Sequence, residues 1–239
     1  MDALILTVIL TSIPLILAAT GELIAERSGV LNLGVEGMML MGAVAAFAIT
    51  SLSGNPYLGV MAAAAAGAMT AAIFAVFTLG LATNQVATGL ALTIFGTGLS
   101  GLVGAPFVGA TVDGLQAVSI PVLSDLPVLG GLLFQLDLLA YGAFVMLALV
   151  AWFLNKSRAG LILRAVGNNH DSAHALGYSV LRVRCAAVIF GGLMAGLAGA
   201  YLPLVLTPHW SEGMTAGRGW IALALVVFAS WMPSRILIG

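Results

Sequence analysis

LRAVGNNHDSAHALGYSVLRVR, Leu163 to Arg184, is a polar island in a chain that is otherwise apolar. Of the 239 residues, 61% are hydrophobic and 7% are charged. A soluble domain carries about 25% charged residues. So few charges cannot cover a surface in water, so lipid must solvate most of this chain. The apolar stretches run on without the alternation of a membrane β-barrel. The fold class that follows is all-α: a polytopic transmembrane helical bundle, forming a single domain over residues 1–239. The net charge of −1 says nothing about nucleic acid, and there is no basic face to bind it. The single cysteine, Cys185, excludes an internal disulfide framework and a cysteine-rich metal site, and reads as a small packing residue.

Span five (about Leu138 to Leu154) precedes the island and span six (about Cys185 to Leu206) follows it. Spans one to four are expected at about Ala3–Ala19, Gly37–Leu52, Tyr57–Leu81 and from Asn84–Gln85 to Val103. Ala3–Ala19 is not a secretory signal, because no Lys or Arg precedes it. The segment Gly104 to Asp137 is an external loop, since Pro121, Asp125 and Pro127 interrupt any run of the ~20 residues that crossing requires. After the loop Thr207–Gly219, the last apolar run, Trp220–Trp231, is only ~18 Å long as a helix. That leaves a half-helix, a re-entrant piece or one arm of a kink at Pro233.

Basic residues set the orientation. Lys156, Arg158, Arg164, Arg182 and Arg184 all lie between spans five and six, which makes residues 155–184 cytoplasmic and the N-terminus external. Arg27 falls on the same side, and so does Arg235 if Trp220–Pro233 crosses, which puts seven of the eight positive residues inside. Two ladders of small residues at every fourth position, Gly192–Gly196–Ala200 and Gly96–Ser100–Gly104, point to close helix packing. A pore-facing or dimer-facing seam is the alternative.

Catalytic constellations do not appear in the sequence. His170 and His174 have the spacing of a metal pair but lack a third ligand and the zincin glutamate. No phosphate loop surrounds the only lysine, Lys156, so an ATP-driven step would need a partner. Ionisable groups at membrane depth are costly and mark pathways. This singles out the connector Gly21–Gly37, where Glu22, Glu26 and Arg27 read as a solvated loop with local ion pairs, and Asn32 and Glu36 as substrate-pathway candidates. Glu36 is the foremost, at the mouth of span two. Asn84 and Gln85 hold a similar position, with Asn84 also suited to cap a helix. Within the island, Asn168 or Asn169 is a good N-cap, Asp171 suits a helix N-terminus and Gly177 a C-terminal turn. The expected product is a two-turn helix, His170–Leu176, marginal in water unless it docks. Ser179 can cap the helix that follows. The small face (Ala173, Gly177) suits a groove on a soluble partner, but an amphipathic linker on the membrane fits equally well.

The runs GELIAERSGVLNLGVEGMMLMGA, NQVATGLALTIFGTGL, RAGLILRAVGNNHDSAHALGYSVLRVR and GGLMAGLAGAYL resemble, in order and over nearly the whole chain, permeases of binding-protein-dependent ABC importers. The class is the branched-chain amino-acid and ribose type, and the first two runs look most like its nucleoside (simple-sugar, guanosine-type) branch. The resemblance implies an ATPase-coupling role for Arg164, Gly167, Asn168, Asn169, Ala173, Leu176 and Gly177. It implies no cofactor on this chain, with ATP and Mg held by a cytoplasmic ATPase with tandem nucleotide-binding domains. It further implies a second, homologous permease as heterodimer partner, an external substrate-binding lipoprotein and a place in the bacterial plasma (inner) membrane. Family members continue past Gly239, so a further C-terminal span is expected to be missing. The function so implied is alternating-access import of nucleosides or related ribosides and sugars, with ribose or branched-chain amino acids as alternative solutes. A gradient-driven secondary transporter is the rival of a different class. It would need paired ionisable residues and an internal repeat, and Glu36 stands alone.

Overall fold

The computed structural model describes residues 2–118 and 135–237. Among the described residues, six helices are long and apolar enough to cross a membrane, the count expected for a polytopic bundle. They are α1 (Asp2–Arg27), α2 (Val35–Ser53), α3 (Pro56–Ala75), α4 (Gln85–Gly104), α5 (Leu138–Lys156) and α8 (Val180–Tyr201). Between α5 and α8 lie two shorter helices, α6 (Arg158–Asn168) and α7 (His170–Ala175). The last helix is α9 (Arg218–Phe228). The expected breaks at Pro121, Asp125 and Pro127 lie outside the described residues.

Span one is longer than its apolar run. It passes through Pro14 and continues to Arg27, so Glu22, Glu26 and Arg27 are helical and not a solvated loop. Glu22 is 1% exposed. Ser28 to Gly34 then forms a non-helical stretch, with Ser28, Val30 and Asn32 fully buried and Gly29 exposed. Irregular backbone at membrane depth persists only where protein surrounds it.

Small residues set the packing around α8, the central helix. A Cβ on Gly67 of α3 would come within 2.8 Å of Gly196 Cα, and one on Gly42 of α2 within 2.5 Å of the same atom. Gly192 meets Gly67 and Ala71, so one ladder is a seam between helices of a single chain. In the other, Gly96 lies against Gly37 and Gly104 against Trp210. Without a hydrophobic drive in lipid, such backbone approach supplies the dispersion that holds helices together.

α9 is a half-span. Its N-terminal residues Gly217 and Gly219 meet Glu36, whose neighbour Gly37 packs on Thr93, near the middle of α4. From there its 11 residues, ~16 Å of helix, run to the end of the bundle that holds Arg27. There the Trp231 carbonyl accepts hydrogen bonds from Arg27 Nε at 3.0 Å and Nη2 at 2.7 Å, and the Trp231 indole donates to Glu26. That end also carries Lys156, α6 and α7, and is called the basic end below.

Candidate functional site

α7 is the exposed feature of the basic end. Asn169 is its N-cap, its Oδ1 accepting from Ser172 N at 3.0 Å. Gly177 takes a left-handed φ of 85°, which lets its own N–H reach the His174 carbonyl at 2.8 Å and the Tyr178 N–H reach Ala173 at 3.1 Å. This paired closure is the Schellman turn that glycine favours at a helix end. The helix stops at Ala175, one residue short of expectation, and Ser179 begins α8 without a side-chain cap. α6 supplies a second amphipathic piece of the island. Ala159, Ile162, Leu163 and Val166 stand at i, i+3, i+4 and i+7, behind a Ser157 cap on Gly160 N at 2.9 Å.

Two of the expected coupling residues rest against their own chain. Ala173 is only 2% exposed and packs on its own chain, while Gly177, the other residue of the expected small face, is exposed. Gly167 is likewise used internally, its Cα side pressed on Arg27 and Gly29. The free face is polar, made of His170, Asp171, Ser172 and His174, with Leu176 standing out at 76% exposure and Gly177 beside it. His170 Nε2 lies 3.4 Å from Asp171 Oδ1. Asn168 is exposed and Arg164 half-buried. Among the described residues, no group of three His, Cys, Asp or Glu side chains is placed to hold a metal ion.

The segments flanking α7 converge on one corner. α6 ends where Gly167 meets Arg27, and Arg184 in α8 donates from Nε to the Ser28 carbonyl at 3.1 Å. Both legs of the α7 loop therefore rest on the end of α1.

Deeper in the bundle, polar side chains complete the broken backbone. Glu22 Oε1 accepts from Asn32 N at 3.0 Å, Gln85 Oε1 from Leu31 N at 2.9 Å, and Asn32 Oδ1 from Gly34 N at 2.9 Å. Thr93 Oγ1 donates to the Leu33 carbonyl at 3.1 Å. Glu36 then receives three bonds from the start of α9: Thr215 Oγ1 at 2.5 Å, Gly217 N at 2.8 Å and Gly219 N at 2.7 Å. Ala216 and Gly217 both take positive φ, 50° and 83°, turning the chain so that these donors converge. α9 has no local side-chain cap, and Glu36 supplies one from α2.

Glu36, expected as a substrate-pathway group at the mouth of span two, is thus engaged on backbone. It is 6% exposed and Asn32 is fully buried, because their polar atoms are consumed by backbone that would otherwise be orphaned in lipid. Asn84 is exposed and caps α4 through Ala87 N at 3.0 Å. Glu22, Thr93, Arg184 and Thr215 were not marked by the sequence as parts of this network. Glu22 and Glu26, one helical turn apart just beyond an apolar run, were the available signal. Thr215 carries none.

The family model described as branched-chain amino acid transport system / permease component matches residues 4–239. Among curated proteins, the chain is 45% identical over 94% of its length to TsgC13 of Haloferax volcanii, provisionally named a glucose ABC transporter permease, and covers 70% of that protein. It is 33% identical to the guanosine ABC transporter permease protein NupQ of Bacillus subtilis, covering 92% of this chain and 73% of NupQ. It is 30% identical to the nucleoside ABC transporter permease protein NupC of Lactococcus lactis, covering 98% of this chain and 77% of NupC.

Proposed function

This chain belongs to the family of branched-chain amino acid transport permease components, and from that premise we propose that it carries nucleosides or glucose-type sugars across a prokaryotic plasma membrane. It is a membrane-spanning permease subunit of an ABC transporter, as its relatives are. The basic end faces the cytoplasm and the N-terminus lies outside. ATP and Mg are bound by a separate ATPase, a second homologous permease completes the translocation path, and an external binding protein delivers the solute. Relatives named for glucose, guanosine and nucleosides support a hydroxylated ring compound as the solute.

The observation that carries this reading is α7: a short, doubly capped, exposed helix whose two flanking segments both bear on the end of α1. An ATPase cleft that takes Leu176 and the polar face of α7 would load α6 and α8 together. The load reaches Ser28, the break before α2, and, through Trp231, the half-helix α9. α8 packs against α1, α2 and α3, so its displacement changes which side of the bundle interface is open. Asn32, Glu36 and Gln85 act in this motion as the hinge's internal hydrogen bonds, shaping the path without lining it.

The test is uptake of labelled guanosine, ribose, glucose and leucine by cells expressing this chain with its neighbouring transport genes, in a host lacking its own systems. Guanosine or glucose uptake is the expected result. Leucine uptake alone would overturn the solute class.

A further inference from the structure

Beneath α6 lies a cavity of about 480 Å³, walled by α1, α5, α6 and α8 at the basic end. Its walls are apolar side chains: Ile24 on α1, Leu149 and Phe153 on α5, Ile162 on α6, Ala186 and Phe190 on α8. No acidic or basic side chain lines it. Leu149 is 51% exposed and Ala186 is exposed, so the groove opens sideways, toward lipid. The volume falls in the range of small-ligand pockets, roughly 300–1,000 Å³.

Toward the basic end, the lining faces of three helices each lead to a basic residue. On α5 the lining face continues from Phe153 to Lys156, one turn nearer the basic end. On α6 it begins with Arg158, one turn before Ile162, and on α8 with Arg182, one turn before Ala186. Side chains at i, i+3 and i+4 share a helix face. Lys156, Arg158 and Arg182 are all exposed, and among the described residues no carboxyl pairs with them. Arg27 and Arg184, by contrast, are engaged with backbone carbonyls.

We infer that this groove is a binding site for an anionic phospholipid of the inner leaflet, one acyl chain lying under α6 and the phosphate held by Lys156, Arg158 and Arg182. Alkyl walls select the chain, and the cationic rim selects the headgroup over a zwitterionic one. Basic pockets between spans on the cytoplasmic side take acidic lipid headgroups in this manner. The site is distinct from α7 and does not depend on which solute the permease moves. A lipid so placed braces α6, through which α7 is joined to α5.

Native mass spectrometry of the full chain in detergent tests this, with dioleoyl phosphatidylglycerol and dioleoyl phosphatidylcholine as probes. The wild-type chain is expected to retain phosphatidylglycerol in preference. Each of Lys156→Gln, Arg158→Gln and Arg182→Gln should weaken that retention roughly fivefold, and the triple variant should erase the preference. Ala186→Phe, which fills the groove, should lower retention of both lipids. Equal retention of the two lipids by the wild-type chain, a preference that survives the triple variant, or indifference to Ala186→Phe would overturn the assignment.

Discussion

Glu36 on α2 accepts a hydrogen bond from the backbone N–H of Gly219 at 2.7 Å, joining residues 183 positions apart. With the bonds from Gly217 N and Thr215 Oγ1, it holds the start of a half-helix in the middle of the bundle. A helix N-terminus leaves unsatisfied N–H groups and a partial positive charge. In lipid neither can be left to water, and the Glu36 carboxyl answers both.

Glu36→Gln is expected to set an amide donor against one of these N–H groups. An unsatisfied buried polar group costs about 1–3 kcal/mol. Thermal unfolding of the purified chain in detergent should show a loss in that range, with membrane insertion unchanged. Stability equal to wild type would mean that α9 is held by packing alone.

Asp137 and Tyr201 form a second buried tie. Asp137 caps α5 through Ala140 N at 2.9 Å and accepts from the Tyr201 hydroxyl at 2.8 Å. Tyr201→Phe leaves one carboxyl oxygen without its donor and should cost about 2 kcal/mol, read by the same unfolding assay. Asp137→Asn, which can still accept at one atom, should cost less.

Gly196 and Gly98 separate packing from propensity. Gly196 meets Ala63 and Gly67, whereas Gly98 faces open space. Gly196→Leu should prevent accumulation of folded protein in the membrane. Gly98→Ala should be tolerated and stabilise α4 by about 0.5–1 kcal/mol. Protease resistance of the two variants in isolated membranes checks the contrast.

Much of this architecture can be read from the chain, and the failures have one cause. Apolar runs mark the spans because lipid demands it. Asn169 and Gly177 mark α7 because capping is local. Hydropathy ends span one near Ala19, yet α1 continues to Arg27, since buried Glu22 and half-buried Glu26 find partners outside the helix, in Asn32 and Trp231. The Glu36 partners lie some 180 residues away, and no local pattern announces them. Ala173 looked free because a small residue suits a groove. The structure shows that the groove it occupies belongs to its own chain.

α7 gives the sharpest contrast between fold and coupling. Leu176→Asp sits on the exposed face and should leave stability within about 0.5 kcal/mol, while cutting ATP-driven uptake roughly tenfold, about 1.4 kcal/mol of coupling. Ala173→Glu should instead loosen the α6–α8 connection, because it buries a carboxyl beside backbone. Limited proteolysis between Asn168 and Ser179 distinguishes the two: only the Ala173 variant should become cleavable. Normal uptake by Leu176→Asp at equal expression would place the ATPase elsewhere.

The central claim is that an ATPase drives this permease. Its most direct test is solute uptake by proteoliposomes containing this chain and its partner permease, with the external binding protein, and with or without the ATPase and ATP. Guanosine or glucose is expected to accumulate only when both ATPase and ATP are present, and not under a proton or sodium gradient alone. Gradient-driven accumulation without the ATPase would contradict it.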